Sequence, residues 1–307
     1  MSLTDDYVAN YPRRQHGMDH DRYAWSQLHE RPNVAWPNGD RVALWIVTQL
    51  QWFPLDMKPA IPVPAGMARP YPDYWDYTLR DYGNRIGVFR IFKVLDKLGL
   101  KSSVAINSAL ADMYPYLVEQ VNQRSWELIA NGLDMGHPHY GGMDEGEEAA
   151  LIKGVLDSLR ELSGQPIRGW LSPIRSESMN TPDLAAAEGI DYICDWANDD
   201  MPFAFKTKSG VIHNMPHTME LDDQQILVTL RHTEQEYVDQ LKDQFNFLYA
   251  ESERRGGRIM AINLNPWVTG QAYRVKSLEE VLSYIASHDG VWSATGSEIL
   301  DAFKGQP

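Results

Sequence analysis

The sequence predicts an α/β fold, a barrel of repeating strand–helix units. Short apolar runs alternate roughly seven or eight times with segments of helical periodicity, and no linker separates them. Such alternation indicates parallel strands joined by helices, and this many units favours a closed or nearly closed barrel over an open sheet. The chain has 307 residues, which suits one barrel domain spanning 1–307.

Composition narrows the class of protein. Apolar residues make up 43% of the chain and charged residues 23%, as in ordinary globular proteins. Cys194 is the single cysteine, which excludes an internal disulfide and a cysteine-based metal site and fits a reducing compartment. The N-terminus lacks the apolar run of a signal peptide, and no stretch reaches the ~18 apolar residues of a membrane span. We therefore expect a cytoplasmic protein without a membrane partner.

Charge and aromatic content indicate the kind of partner. The net charge of −14 argues against nucleic-acid binding, because phosphate contacts require a basic face. A small-molecule substrate fits this charge better. Aromatic loops and an irregular N-terminal segment favour a homo-oligomer.

The first part of the chain is irregular except for one strand. Residues 1–40 show no clean period and are expected to form an irregular arm packed on the barrel. Val42–Gln49 is a continuous apolar run, typical of a strand that is buried on both faces. Residues 52–78 are rich in proline and aromatic residues, and so long an irregular segment is usually a functional loop.

Regular periodicity begins near Asn84. An apolar stripe from Val88 to Leu98 predicts a helix that ends at Gly99. Asp144 and Glu147 predict the start of another helix, which ends at Gly164. Further helices are predicted at Tyr116–Ala130, Pro182–Ala187, Glu234–Glu251, Leu278–Ala286 and Ser297–Phe303. Further strands are predicted at Lys101–Ala105, before Gly136–His137, and at Ile167–Leu171, Tyr192–Asp195, Val211–Met215, Ile259–Leu264 and Val291–Ala294.

The catalytic and binding residues of such barrels lie at the ends of the strands. Two histidines follow the third predicted strand. His137 and His139 lie in a turn bounded by glycine and proline. Each imidazole is suited to general acid–base work or metal binding. Hydrogen-bonded loop histidines without a reactive role are the alternative.

Other strand ends carry further candidates. Asp195 is suited to orienting a histidine, although an Asx-turn explains it as well. Arg175 is suited to binding a carboxylate or an oxyanion, or to neutralising an acid. His217 follows a sixth strand and extends the same set. The expected substrate-binding residues of the pocket wall are Gln51, Trp52, Tyr82, Arg85, His139, Trp196, His217, Asn265 and Trp267.

Seven segments at these positions resemble the NodB-homology, or polysaccharide-deacetylase, superfamily. The likeness is greatest to the branch of cofactor-free allantoinases and cyclic-imide hydrolases. It implies a deformed (β/α) barrel with seven or eight parallel strands and hydrolysis of non-peptide C–N bonds. The segments are DYGNRIGVFR (81–90), GHPHY (136–140), MDEGEEAALI (143–152), SGQPIRGWLSP (163–173), DYICDWANDDMPF (191–203), NPWVTGQAYR (265–274) and HDGVWSATGSEI (288–299).

The chain departs from the metal-dependent members of that superfamily at three positions. Gln51 and Trp52 stand where those members have an Asp–Asp pair, and the allantoinase-like branch has Asn-Tyr-Glu-Glu there. Gly141 stands where a second ligand histidine is expected, and Asn265 where a general-acid histidine is expected. Because all three changes remove titratable groups, the metal-dependent mechanism is not expected to transfer unchanged.

Three functional hypotheses follow. The first is a C–N hydrolase acting on a small amide, cyclic imide or ureide, in which His137 is the base, Asp195 orients it and Arg175 binds an oxyanion or carboxylate. The second is a metal-dependent deacetylase of N-acetylated sugars. The third is a ligand-binding barrel without catalysis. No cofactor is expected; a divalent metal such as Zn²⁺, if bound, would be held by His137, His139 and His217.

Overall fold

The computed structural model describes residues 20–56 and 72–306. Most of the predicted Pro-rich loop, residues 57–71, and the first half of the predicted arm, residues 1–19, lie outside the described residues. Within the arm, residues 20–41 contain two short 3₁₀ turns and a bridge from Val34 to Gly256.

A nine-stranded sheet forms the centre of the molecule. Its order is β6-β7-β5-β4-β3-β2-β1-β8, and β9 pairs with β1. Every pair is parallel except β6–β7, so the described sheet has the mostly parallel, curled form that the sequence predicts. The strands are β1 (Val42–Leu50), β2 (Ser103–Ile106), β3 (Glu127–Ala130), β4 (Gly169–Trp170), β5 (Tyr192–Ile193), β6 (Phe203–Thr207), β7 (Gly210–Asn214), β8 (Arg258–Leu264) and β9 (Val291–Ser293).

Helices connect the parallel strands. Two of the predicted helix ends are confirmed by left-handed glycines, Gly99 with φ +65° and Gly164 with φ +69°. Asp144 caps its helix by accepting from the backbone N–H groups of Gly146 and Glu147. The α-helices are α1 (Tyr74–Tyr82), α2 (Val88–Leu98), α3 (Ser108–Met113), α4 (Pro115–Gln123), α5 (Glu145–Ser163), α6 (Thr181–Ala187), α7 (Glu234–Arg255), α8 (Val275–Ala286) and α9 (Gly296–Lys304).

Among the helices of residues 20–56 and 72–306, none is both long and apolar enough to cross a membrane.

The predicted helix Tyr116–Ala130 is wrong in its second half. The helix ends at Gln123, and Glu127–Ala130 is strand β3. A buried apolar run this short fits either structure by periodicity, and pairing with β2 and β4 decides for the strand. The strand predicted before Gly136–His137 is therefore also wrong, since β3 has already ended at Ala130. Helices α1 and α3 and strand β6 were not expected, and α1 begins inside the predicted irregular segment 52–78.

The apolar run of β1 fills two cores. Val42, Leu44 and Ile46 pack with the surrounding helices, whereas Ala43 and Trp45 pack with the inner strand faces and α9. Alternate side chains of a strand point to opposite faces, so burial on both faces requires a continuous apolar run. β1 pairs with β2, β8 and β9, and the amide side chains at its C-terminal end lie at one end of the core.

Candidate active site

A cavity of about 360 Å³ lies where β1, β3, β4 and β8 end. Its lining combines six side-chain amides, two arginines and one carboxylate with apolar groups. The lining residues are Gln49, Gln51, Phe53, Arg80, Asn131, Met135, Leu171, Ser172, Ile174, Arg175, Met219, Asp222, Gln224, Gln225, Thr229 and Asn265.

Asp222 is the one carboxylate in this lining, and it accepts hydrogen bonds from side-chain and backbone amides. Its Oδ1 accepts from Asn265 Nδ2 and from the backbone N–H of Gln224, both at 2.9 Å. Its Oδ2 accepts from Gln49 Nε2 at 3.1 Å. Gln51 Nε2 in turn donates to Gln49 Oε1 at 2.8 Å. Asp222 is thus fixed in orientation by neutral donors.

Asp223 lies directly behind and accepts four hydrogen bonds. Asn265 donates from its backbone N–H at 2.9 and 3.0 Å and from Nδ2 at 2.8 Å, and Thr269 donates from Oγ1 at 2.6 Å. Burial and the neighbouring Asp222 raise the pKa of Asp223 to about 7. Burial also raises the pKa of Asp222, against the opposing charge of Arg175. This acid pair can exchange a proton near neutral pH.

A close approach of two backbones places Asn265. The π-helical turn Gly83–Gly87 packs against the segment that follows β8. A Cβ atom on Gly87 would lie 2.0 Å from the carbonyl oxygen of Pro266, and one on Gly83 would lie 2.6 Å from the backbone nitrogen of Trp267. Glycine at both positions therefore permits the contact that positions the amide beside the acids.

Arg175 lines the cavity, as the sequence predicts for a substrate contact. It lies in a 3₁₀ turn, Pro173–Arg175, and has a left-handed φ of +56°. Its Nη1 donates to the carbonyl of His217 at 2.6 Å and its Nη2 to that of Thr218 at 3.2 Å. Burial lowers the pKa of the guanidinium. These bonds hold the cation in the wall between Asp222 and Asp195.

Asp195 lies behind the cavity wall and accepts a hydrogen bond from a residue that lines it. Its Oδ1 accepts from the backbone N–H of Ser172 at 2.9 Å, and Ser172 lines the cavity. Glu177 lies beside it and accepts from Trp196 Nε1 at 2.8 Å. Burial raises the pKa of both carboxyl groups, and the charge of Asp195 raises that of Glu177 further.

The two histidines of the turn after β3 lie outside the cavity lining. His137 has a half-exposed side chain whose Nδ1 lies 2.7 Å from Asp134 Oδ1. His139 is fully buried, with Nδ1 2.9 Å from Glu148 Oε1. The turn therefore directs one imidazole toward solvent and the other into the protein.

The structure does not bring together the three predicted metal ligands, His137, His139 and His217. His217 is buried against Trp45, and neither ring nitrogen has a hydrogen-bond partner among the described residues. His137 and His139 are each turned to a different carboxylate. Across residues 20–56 and 72–306, no three or more His, Cys, Asp or Glu side chains gather as a group that could hold a metal ion. The three histidines predicted as conditional ligands are therefore not placed to share a metal ion.

The remaining predicted wall residues divide into two groups. Gln51 and Asn265 line the cavity. Trp267 stands just behind it, with its ring 4.9 Å from the Arg80 guanidinium. The others do not line it: Trp52 packs on Tyr77, Tyr82 accepts from Arg90, Arg85 is exposed, and Trp196 lines a second cavity.

Sequence reasoning missed three charged residues here: Asp222 and Arg80, which line the cavity, and Asp223, which lies behind it. The run Asp222–Gln225 contains adjacent acids and amides between β7 and α7. Polar residues between a strand and the next helix are the signal that would have found them. Arg80 gives no such signal, because capping and salt bridges explain an arginine at the end of a helix.

Comparison with known proteins agrees with this architecture. A protein of Schizosaccharomyces pombe named "putative polysaccharide deacetylase" is 24% identical over an alignment of 246 residues, covering 73% of this chain and 74% of the relative. The solved Puue allantoinase is 23% identical, with a TM-score of 0.78 over 90% of this chain and 95% of its own. A "probable polysaccharide deacetylase" from Pseudomonas aeruginosa is 23% identical, with a TM-score of 0.78 over 92% of this chain and 99% of its own. No protein-family model matches the sequence.

These similarities confirm the resemblance drawn from the sequence. The chain has the fold of the polysaccharide deacetylases and of allantoinase, a NodB-like deformed (β/α) barrel.

Proposed function

We propose that the chain is a hydrolase of non-peptide C–N bonds that acts on a small amide, cyclic imide or ureide. The observation that carries this proposal is the Asp222–Asp223 pair at the wall of an amide-lined cavity. The names of the similar proteins, deacetylase and allantoinase, belong to hydrolases of such bonds. A cavity of about 360 Å³ favours a small molecule over a polymer.

In this proposal Asp222 activates water. Water adds to the carbonyl carbon while Asp222 accepts its proton, and the C–N bond then breaks as the leaving nitrogen takes that proton. Arg175 lies close enough to Asp222 for their charges to interact, and it stabilises negative charge on the former carbonyl oxygen. Gln51 and Asn265 orient the substrate through their amide groups.

A substrate panel with a matched pair of variants tests this. Purified untagged protein is incubated with small amides, cyclic imides and ureides, and release of ammonia or amine is followed by NMR. Asp222→Asn is expected to lower turnover by about 10²- to 10⁴-fold, the usual contribution of a general base. Asp239→Asn, an exposed aspartate of α7, serves as the control and should leave turnover unchanged.

Thermal unfolding of both variants separates lost chemistry from lost folding. If Asp222→Asn stays folded and keeps turnover within threefold, Asp222 is not the base. If the whole panel resists hydrolysis, the proposed activity fails and a ligand-binding barrel becomes the better description.

A further inference from the structure

The cavity holds two arginines in different ways. Both terminal nitrogens of Arg175 donate to backbone carbonyls. Arg80 donates instead from Nε, to the two carboxylate oxygens of Asp76 at 3.1 and 3.0 Å. Within residues 20–56 and 72–306, no acceptor is bonded to its Nη1 or Nη2. Four N–H groups of a cavity-lining cation are therefore available to a ligand.

Packing holds this guanidinium in one orientation. Its central carbon lies 3.9 Å from the ring centre of Phe53 and 4.9 Å from that of Trp267. The side chain is only 5% exposed, so it has little freedom to move. A planar donor that is ordered before binding loses little entropy when a ligand arrives.

A purely structural role does not account for the terminal nitrogens. Stacking on Phe53 and Trp267 already ties α1 to the segments after β1 and β8, and the bond from Nε to Asp76 lies within α1. The unused N–H groups belong to a residue that lines the cavity. An anion in the cavity can accept charge-assisted hydrogen bonds from them.

The charge of the lining favours an anion. The lining contains two guanidinium groups, Arg80 and Arg175, and one carboxylate, Asp222, while Asp76, which pairs with Arg80 Nε, stands outside the lining. The planar fork formed by Nη1 and Nη2 matches the geometry of a carboxylate.

We propose that Arg80 binds a carboxylate group of the substrate, so that the substrate class is carboxylate-bearing amides and ureides. This inference rests on the proposed C–N hydrolysis for the reacting end of the molecule and adds the group that is recognised at the other end. Arg80 is then the residue that determines specificity for acids over neutral amides.

Calorimetric titration with paired ligands tests this. The probes are N-carbamoylglycine and N-acetylglycine, each compared with its neutral primary amide. Wild-type protein should bind the acids about 10- to 100-fold more tightly than the amides, the factor that charge-assisted hydrogen bonds supply. Arg80→Gln should abolish that preference, and Arg80→Lys should retain part of it.

Arg124→Gln is the matched control. Arg124 also stacks on two aromatic rings, Phe92 and Trp126, and pairs with Asp96, but it lies outside the cavity lining. It should leave the preference intact. Equal wild-type affinity for acids and amides, binding of neither, or an unchanged preference in folded Arg80→Gln would overturn the inference. Hydrolysis without acid preference refutes only this inference, whereas Arg80-dependent binding without hydrolysis of any panel member refutes only the proposed function.

Discussion

Two buried acidic regions of the molecule hold their carboxylates in opposite ways. Glu148 faces His139, and although burial alone raises its pKa, the hydrogen bonds that it accepts leave that pKa lower than usual. Asp222 and Asp223 are bonded mainly to neutral amides such as Asn265, and burial raises their pKa values, that of Asp223 to about 7. The first carboxylate stays ionised at neutral pH, whereas the second pair can gain or lose a proton there.

This difference teaches that the hydrogen-bond partners of a buried carboxylate decide the direction of its pKa shift. In the turn that contains His137 and His139, each imidazole pairs with a carboxylate. Behind the cavity, where amides take the place of histidines, burial and Asp222 raise the pKa of Asp223 to about 7. The assignment of His137 as general base remains a sequence-based prediction, and the geometry favours Asp222.

Glu148→Ala tests the structural side of the comparison and should have the largest effect on stability. Glu148 accepts from His139 at 2.9 Å, Ser178 at 2.6 Å and Thr181 at 2.5 Å, all buried. Its removal leaves three buried polar groups without their acceptor, so the free energy of unfolding should fall by about 3–5 kcal/mol. Urea denaturation at pH 7 measures this.

The pH dependence of a second variant, Glu148→Gln, sharpens the result. Because the folded-state pKa of Glu148 is lowered, its ionisation contributes stability above about pH 4.5 that is lost as the pH falls through the folded pKa. The gap between wild type and Glu148→Gln should therefore narrow below pH 4.5. A gap that is constant with pH would show that its charge is not the source of the stability.

Asp223→Asn tests the catalytic side. Above about pH 7, Asp223 is ionised and its negative charge makes Asp222 a stronger base. For a hydrolysed panel substrate, kcat/KM should therefore rise through about pH 7 in wild type, and this inflection should disappear in Asp223→Asn. An unchanged profile in the folded variant would place the titrating group elsewhere.

His137→Gln should have the smallest effect. The imidazole is half exposed and lies outside the cavity lining, with Asp134 as its partner. We expect turnover within about threefold of wild type and a change in unfolding free energy below about 1 kcal/mol, as is typical of a surface substitution. A loss of two orders of magnitude in initial-rate assays would restore the sequence-based assignment.

Sequence reasoning located the site at the strand ends but did not find every residue that lines it. Gln51, Arg175 and Asn265 were predicted at the site because polar residues directly after buried strands meet at one end of a parallel sheet, and all three line the cavity. Asp222 was missed because it lies several residues beyond β7, where no periodicity indicates how the chain returns to the sheet. Arg80 was missed because its stacking partners, Phe53 and Trp267, are far from it in sequence.

The sequence by itself determined the parallel architecture. The continuous apolar run of β1 predicts a strand that is buried on both faces, and Gly99 and Gly164 predict where two helices end. Both signals are local, because they depend on periodicity and on backbone conformation. Only the tertiary structure decided which polar groups share an environment. The pKa of Asp223 depends on burial and on Asp222 at its side. Arg80 bonds to Asp76 through Nε, so its terminal nitrogens have no acceptor within residues 20–56 and 72–306. Both are properties of distances across space, because desolvation and charge–charge interactions depend on the neighbours that folding brings together.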